Sequence, residues 1–486
     1  MRPRILAIDQ GTSSTKAVLV EASGRILGRA SAPLDSHYPQ PGWAEQSAED
    51  IWHSVRSVIA GIVRQAGADG IAGLAIANQR ESLVVWDAET HRPITPVILW
   101  QCRRTAGVCA ALHAAGADAG VVARTGLSIN PLFPASKLGW VMQNVPAAAD
   151  LLAQGRLRAG TVDSWLLWNL TGGAAFATDH SNASRTQLFD TATLAWDPGL
   201  CALFGAPTAA LASPRGSDSL FGVIAGGTDL PAGLPVHAMM GDSHAALFGH
   251  GVRSPGMVKA TYGTGSSLMT LTTGRVASAN GLSGTIAWTR GGVTAHALEG
   301  NITVSAQAAG FAATMLGLPD VATLSELAQT VGSSEGVTFV PALAGLGAPH
   351  WNDAARGAIA GLSLGSTTAH VARATFEAIA LQIADVLAAM ERDTGRRLTG
   401  LLADGGASAN DFLMQLQADL LDRPVTRSDV AEVGAMGAAA MAFSGLGIET
   451  GLEHAGQARV FTPAMAPDER AAILGGWHSA LRRVLA

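Results

Sequence analysis

Three stretches of this chain end an apolar run on an aspartate and follow it at once with turn-forming residues, and they constrain its fold more than any other feature. They are Ile8-Asp9-Gln10-Gly11-Thr12-Ser13-Ser14 at the start, Met240-Gly241-Asp242-Ser243-His244 near the middle and Ala403-Asp404-Gly405-Gly406-Ala407 late on. The run Leu234 to Met240 predicts a strand and Ala245 to Phe248 a helix start, so Asp242 is expected where a strand hands over to a helix. In α/β proteins such corners are where ligands gather. A glycine turn, Thr261-Tyr262-Gly263-Thr264-Gly265-Ser266-Ser267, follows the middle corner. Each corner has a plainer explanation: Asp242 could serve only as a helix N-cap, and Asp9 to Ser14 as an ordinary hairpin. Their recurrence points instead to one nucleotide held between two halves.

Composition narrows the class. A chain of 486 residues implies two or three domains. With 48% hydrophobic residues, 14% charged and 57 glycines it reads as compact and turn-rich rather than disordered. A net charge of −6 argues against a nucleic-acid partner. The only lysines, Lys16, Lys137 and Lys259, precede Ala17, Leu138 and Ala260, which excludes a P-loop, since that motif needs Lys followed by Ser or Thr. Cys102, Cys109 and Cys201 form no C-x-x-C pair, and no histidine precedes a glutamate, so zinc-knuckle, disulfide and H-E-x-x-H readings fall away. No signal-like stretch and no run of 18 apolar residues is found, so a cytoplasmic protein with no membrane partner is expected.

Along the chain, Ile5 to Asp9, Ala17 to Glu21 and Arg25 to Ala32 read as strands. A helix follows from Ser47, with Glu49 and Asp50 in its first turn and Ile51, Val55, Val58, Ile59 and Ile62 at helical spacing. Strands at Ile71 to Ala77 and Leu83 to Trp86 bracket Asn78-Gln79-Arg80-Glu81. The order predicts a sheet that begins antiparallel and is then covered by helices. Residues 100 to 200 read as mainly helical, and Ala206 to Gly233 as irregular. From Val258 the opening pattern recurs, an internal duplication with its halves meeting near 245 to 255. Val371 to Ala389 carries the clearest helical stripe, read as core.

Turn amides and hydroxyls beside an aspartate suit phosphate oxygens, and the carboxylate suits Mg²⁺ held through water. Arg80-Glu81 puts a donor fork next to an acceptor, which could orient neighbouring hydroxyls of a polyol or form a surface ion pair. Asp242 is then the candidate base for an attacking hydroxyl. A competing signal is Gly361-Leu362-Ser363-Leu364-Gly365, a G-x-S-x-G match followed by Asp404, His454 and His478 in hydrolase order. The helical pattern starts only after Ser366-Thr367-Thr368, too late for a nucleophile elbow.

Taken together, the motifs resemble the FGGY family of carbohydrate kinases, and within it the glycerol kinases, along nearly the whole chain. The resembling segments are Ala7 to Ser14, Tyr38 to Glu45, Asn78 to Glu81, Trp100 to Thr105, Gly160 to Trp165, Asn182 to Thr186, Gly345 to Pro349, Gly357 to Glu377 and Asp404 to Gln415. The resemblance implies an α/β fold of two ribonuclease-H-like domains, as in actin, hexokinase and Hsp70, with ATP in the cleft between them. It divides the chain into 1–248, bearing the substrate site and a phosphate-binding hairpin, and 249–486, binding nucleotide. It implies ATP and Mg²⁺ as cofactors, a small polyol or sugar substrate, and a homo-oligomer, dimer or tetramer.

Carried over residue by residue, the resemblance puts Thr12, Ser13 and Lys16 at the phosphates, and Thr264, Gly265, Ala306, Gly406 and Asn410 elsewhere on the nucleotide. It puts Asp9 and Asp242 at the metal, makes Asp242 the catalytic base, and turns Arg80, Glu81, Trp100, Leu132 and Ser243 toward the substrate. Four positions depart from the glycerol kinase pattern: Leu132 stands for a tyrosine, Ser243 for a glutamine, Ser267 for a phenylalanine and Ala306 for a glycine. The loop Gly226-Gly227-Thr228-Asp229 does not match the arginine-bearing loop that binds a sugar bisphosphate regulator. The pocket changes enlarge the acceptor site, so the expected acceptor is a three- to five-carbon polyol or sugar, with room for one larger than glycerol, a ketopentose being the alternative. A non-catalytic actin-like ATP-binding protein is the alternative from another class.

Overall fold

The first apolar run forms the strand Arg4–Gln10. Ile5, Leu6, Ala7 and Ile8 are all fully buried, as a strand covered on both faces requires. It pairs antiparallel with Ser14–Glu21, placing Asp9 opposite Lys16, and parallel with Ile71–Asn78. The computed structural model describes residues 3–452 and 458–486. Its first large sheet runs in the order Gly222–Val223, Pro235–Gly241, Ile71–Asn78, Arg4–Gln10, Ser14–Glu21, Ile26–Pro33.

The second sheet runs Ser283–Arg290, Val293–Ile302, Ser266–Thr272, Met257–Tyr262, Gly400–Asp404, Val425–Ser428, Ala458–Phe461. Without Ser283–Arg290, it repeats the first sheet strand for strand: an antiparallel meander, two parallel neighbours and an antiparallel edge. The duplication heard in the sequence is thus a repeated sheet. Among the described residues no single helix is long and apolar enough to cross a membrane.

Local chemistry accounts for the helix boundaries. The Ser47 hydroxyl accepts from Asp50 N at 3.0 Å and caps Ala48–Ala66. Thr367 and His370 cap Thr368–Thr394 reciprocally, and that helix buries Ala372, Ile379, Ile383 and Val386 in the core of the second sheet. Leu83 to Trp86 departs from expectation. The strand is Val84–Asp87 and pairs with Leu157–Gly160 in a separate two-stranded sheet, because Trp86 is drawn into a cluster with Trp165, Trp168 and Phe176 in the largely helical insertion.

The helix Val433–Gly445 follows the second sheet's strands but packs against the first sheet and against Asp242–Gly249. It joins Ile5, Ala7, Met240 and Phe248 in one core with Met269 and Trp288 of the second sheet. The two helices touch through glycine: a Cβ on Gly437 would lie 1.8 Å from the Ala245 carbonyl oxygen. Gly437→Ala is therefore expected to force the helices apart and lower stability by about 1–3 kcal/mol. Chemical denaturation checks this, and an unchanged midpoint would show that the crossing tolerates a side chain.

Candidate active site

The three parallel strands Arg4–Gln10, Ile71–Asn78 and Pro235–Gly241 end in register, Gln10 beside Asn78 and Asn78 beside Gly241. Asp9, the tetrad Asn78 to Glu81 and Asp242 therefore emerge along one carboxyl edge. In the second sheet Asp404 ends its strand opposite Thr261. Asp242 does not cap the helix it opens: Gly241 holds the cap position. Its Oδ1 instead accepts from Arg80 Nε at 2.9 Å and from Ser243 N at 2.6 Å. The side chain keeps 40% of its surface, a carboxylate anchored on one oxygen and still open to the cleft.

Asp9 lies deeper. Its carboxyl is pushed up to about 6, first by enclosure and then by the charges of Asp242, Asp404 and Glu432, with Lys16 opposing. All three sequence corners thus meet closely enough for their charges to be felt together. Asp404 is held below the usual carboxylate range: burial works against its charge, but a 2.6 Å contact with His250 Nε2 and the charge of Lys259 prevail. Among the described residues no three His, Cys, Asp or Glu side chains form a cage for a metal. Asp9 and Asp242 nevertheless fit Mg²⁺, which takes one or two carboxylates and completes its shell with water and phosphate oxygens. The raised Asp9 carboxyl reflects enclosure first and neighbouring negative charge second.

The turn after Asp9 is closed by Gly11 N donating to Ser14 O at 3.0 Å. Trp100 Nε1 donates to the Thr12 hydroxyl at 3.1 Å, so the turn and Trp100 are directly tied. Ser13 and Lys16 are exposed beside it. In the second sheet Thr264, Gly265 and Ala306 share one corner: Ser305 N donates to Thr264 O and Ala306 N to Gly263 O. Gly405 has φ +89°, and a Cβ there would lie 2.5 Å from the Tyr262 carbonyl oxygen, so this turn needs glycine. Gly406 next to it is exposed. The Asn410 side chain caps Asp411–Leu421 through Leu413 N and donates to Ser325 Oγ, so both its polar atoms hold structure.

Arg80 and Glu81 are no surface pair. Arg80 is 7% exposed and its Nη1 lies 2.7 Å from Glu299, while Glu81 accepts from Arg185 Nε at 2.7 Å. Glu299 and Arg185, each fully buried, complete the cluster at 2.8 Å. Burial opposes the Arg80 charge, yet Glu299, Glu81 and Asp242 raise its pKa. Burial likewise opposes the charge on Glu299, and Arg185 and Arg80 hold it below the usual range. Glu299 and Arg185 went unnoticed in the sequence, because Glu299 sits mid-strand in Val293–Ile302 without a turn to mark it. Arg185 belonged to a polar insertion with no pairing signal.

Ser243 and Ser267, both departures from the glycerol kinase pattern, touch each other. The Ser243 hydroxyl donates to Ser267 Oγ at 3.0 Å, Lys259 Nζ donates to Ser243 Oγ at 3.2 Å, and Ser267 donates to Glu299 at 2.8 Å. Leu132 is set by its backbone, N–H to Asn130 and carbonyl to Lys137 Nζ. Among the described residues the candidate triad does not assemble: Ser363 is exposed and bonded to Ser366, Asp404 pairs with His250, and His478 pairs with Asp385. His454 lies outside the described residues.

Two halves built on matching sheets, with three acidic corners near one another, define the actin-like class of fold. The chain matches the N-terminal domain of the FGGY family of carbohydrate kinases over residues 4–249 and its C-terminal domain over 258–446. It belongs to that family and is a sugar or polyol kinase. It is 47% identical to an apulose kinase of Pectobacterium atrosepticum, over 90% of this chain and 88% of the relative. It is 44% identical to a glycerol kinase of Symbiobacterium thermophilum, over 99% and 98%. Among solved structures it matches Plasmodium falciparum glycerol kinase with ADP at a TM-score of 0.93 and 29% identity, covering 100% of this chain and 99% of that one. A xylulose kinase from Rhodospirillum rubrum matches at 0.87 and 26%, covering 99% of both.

Lys137 is a further residue the sequence did not mark. It is fully buried, and its Nζ donates to the carbonyls of Glu81 at 2.9 Å and Leu132 at 2.7 Å, stapling together two segments that the resemblance turns toward the substrate. Burial lowers its pKa to about 7 from an ordinary 10.5. Between those values the unfolded chain binds more protons than the native one, so stability rises with pH, by at most about 1.4 kcal/mol per unit for this group. Lys137→Met is expected to flatten that rise between about pH 7 and pH 9 in denaturation curves. Parallel curves for the two proteins would mean that Lys137 stays charged when folded.

Proposed function

We propose that the protein transfers the terminal phosphoryl group of ATP to a primary hydroxyl of a three- to five-carbon polyol or sugar, in a pocket with room for acceptors larger than glycerol. Asp242 is the base. The observation that carries this reading is the Asp242 carboxylate, held on one oxygen by Arg80 and Ser243 N yet 40% exposed at the cleft. Such a group can accept a proton from a hydroxyl lodged against it. Thr12, Ser13 and Lys16 would face the phosphates, and Thr264, Gly265, Ala306 and Gly406 the remainder of the nucleotide. Asn410 would contribute through its backbone, its side chain being engaged in the cap. Mg²⁺ carried by Asp9 and Asp242 would neutralise phosphate charge. The functional division falls at 248/249, with Arg80, Glu81, Trp100, Leu132 and Ser243 lining the acceptor side.

The size of the acceptor follows from the wall. Serines at 243 and 267 leave room and two hydroxyls where a glycerol pocket has an amide and a ring, and Leu132 offers no side-chain donor, a loss of about 0.5–1.5 kcal/mol for a hydroxyl aimed at it. An acceptor with an added hydroxyl or carbonyl oxygen fits this pattern. Relatives named for apulose, xylulose and glycerol define the panel to try.

Purified protein should release ADP only when a suitable acceptor is present, faster with the ketoses than with glycerol. Acceptor-independent hydrolysis alone would favour a non-catalytic ATP-binding role. Asp242→Asn should lower kcat by roughly 100- to 10 000-fold while ATP still binds by calorimetry. Near-normal turnover would remove Asp242 from the role of base. Ser267→Phe should shift kcat/KM toward glycerol over the larger acceptor by about tenfold, one ring's worth of packing. No shift would place the size limit elsewhere.

A further inference from the structure

The charged cluster behind the acceptor site joins the two sheets through one residue. Glu299 lies on Val293–Ile302 of the second sheet, and both guanidinium groups it contacts come from the first half of the chain. Arg80 leaves the carboxyl end of Ile71–Asn78, and Arg185 follows the short helix His180–Ala183. Glu81 closes the circuit with Arg185 from a backbone at φ +60°, a conformation a side-chain-bearing residue rarely adopts.

Four charges enclosed in this way are poor stabilisers, since their desolvation cancels most of their attraction. Their geometry offers a better reason for them. A guanidinium is planar and rigid, so fixing one nitrogen orients the others. Arg80 places Nη1 against Glu299 at 2.7 Å and Nε against Asp242 at 2.9 Å. Withdrawing Glu299 would let the plane rotate and would release Asp242 Oδ1 from its charged partner.

We propose that Glu299 is a positioning residue through which the second sheet aligns Arg80 and, through Arg80, the Asp242 carboxylate, so that the base is set only when both halves of the molecule are in register. The inference rests on Asp242 as base, and extends it to a fully buried residue of the second sheet that reaches the base only through Arg80. Ser267 ties the same device to the pocket wall, because its hydroxyl donates to Glu299 Oε1 at 2.8 Å.

Two variants test it in the full-length protein. Glu299→Asp keeps the charge and draws the carboxylate back by one methylene. The double variant Glu299→Gln with Arg185→Gln removes one charge of each sign and leaves the enclosed cluster balanced. Both are expected to melt as cooperative proteins with KM for ATP within about twofold of wild type, and with kcat reduced roughly 100-fold, the cost of a misplaced reacting group. Recovery of wild-type kcat in the double variant would show that the cluster needs only charge balance and would overturn the proposal. So would a kcat within about threefold of wild type for Glu299→Asp. Failure of both variants to fold would assign the cluster to stability and overturn it equally. The wild-type control separates this from the reading beneath it, since an enzyme that phosphorylates no polyol or sugar fails before any variant is compared.

Discussion

The contact between Gly437 and the Ala245 carbonyl is the constraint on which the arrangement of the cleft depends. Where two helices cross that closely, their backbones set each other's position with little freedom left to side chains. The helix Asp242–Gly249 is thereby pinned at its centre, and the corner that opens it is pinned with it. The partner helix Val433–Gly445 also carries Gly434 to the site, where a Cβ would stand 3.0 Å from Asp9 Oδ2. One late segment therefore locates both acidic corners of the first sheet. A chain cut between its two sheets would lose that support, because the helix that secures the first sheet's site arrives after the second sheet's central strands.

Convergence of three aspartates has an electrostatic cost that the molecule meets unequally. Asp404 is answered by His250 and Lys259, and Asp242 by Arg80. Asp9 has the opposing charge of Lys16, and its carboxyl still rises, first through desolvation and then through the neighbouring carboxylates. The least compensated of the three is thus a half-buried group. Uneven compensation of this kind is what a site prepared for a cation and a polyphosphate would need, whereas a merely structural cluster would be neutralised throughout.

Much of this was legible in the sequence because turns and strand ends have strong local chemistry. Asp9, Asp242 and Asp404 announce themselves by the apolar run before them and the glycine or small polar residues after. Ser47 and the stripe of Thr368–Thr394 do so by capping and spacing. The residues that hold the site from behind could not be found that way. Glu299 interrupts an otherwise ordinary strand, Lys137 lies within the helix Pro134–Asn144, and Arg185 follows a four-residue helix. The partners that matter here are far apart in sequence, Lys137 from Glu81 by 56 residues and Arg185 from Glu81 by 104. Asn410, placed at the nucleotide by likeness, also has a local role that the sequence did not announce, its side chain capping Asp411–Leu421.

The division between what is held by backbone and what is held by side chains explains how one scaffold accommodates different acceptors. The acidic corners and glycine turns are fixed by sheet register, by the helix crossing and by a left-handed glycine at 405, so a change there disturbs the fold itself. Leu132, Ser243 and Ser267 instead present side chains from positions whose backbones are already secured, Leu132 by Lys137 and Asn130, Ser243 by the start of its helix, Ser267 by its strand pairing. Exchange of these three would alter volume and hydrogen-bonding capacity while leaving the backbone support of the acidic corners in place, although Ser267 also bonds Glu299. Family members named for glycerol, apulose and xylulose share the fold, and side chains held in this way, Ser243 and Ser267 among them, are ones that a common scaffold can vary.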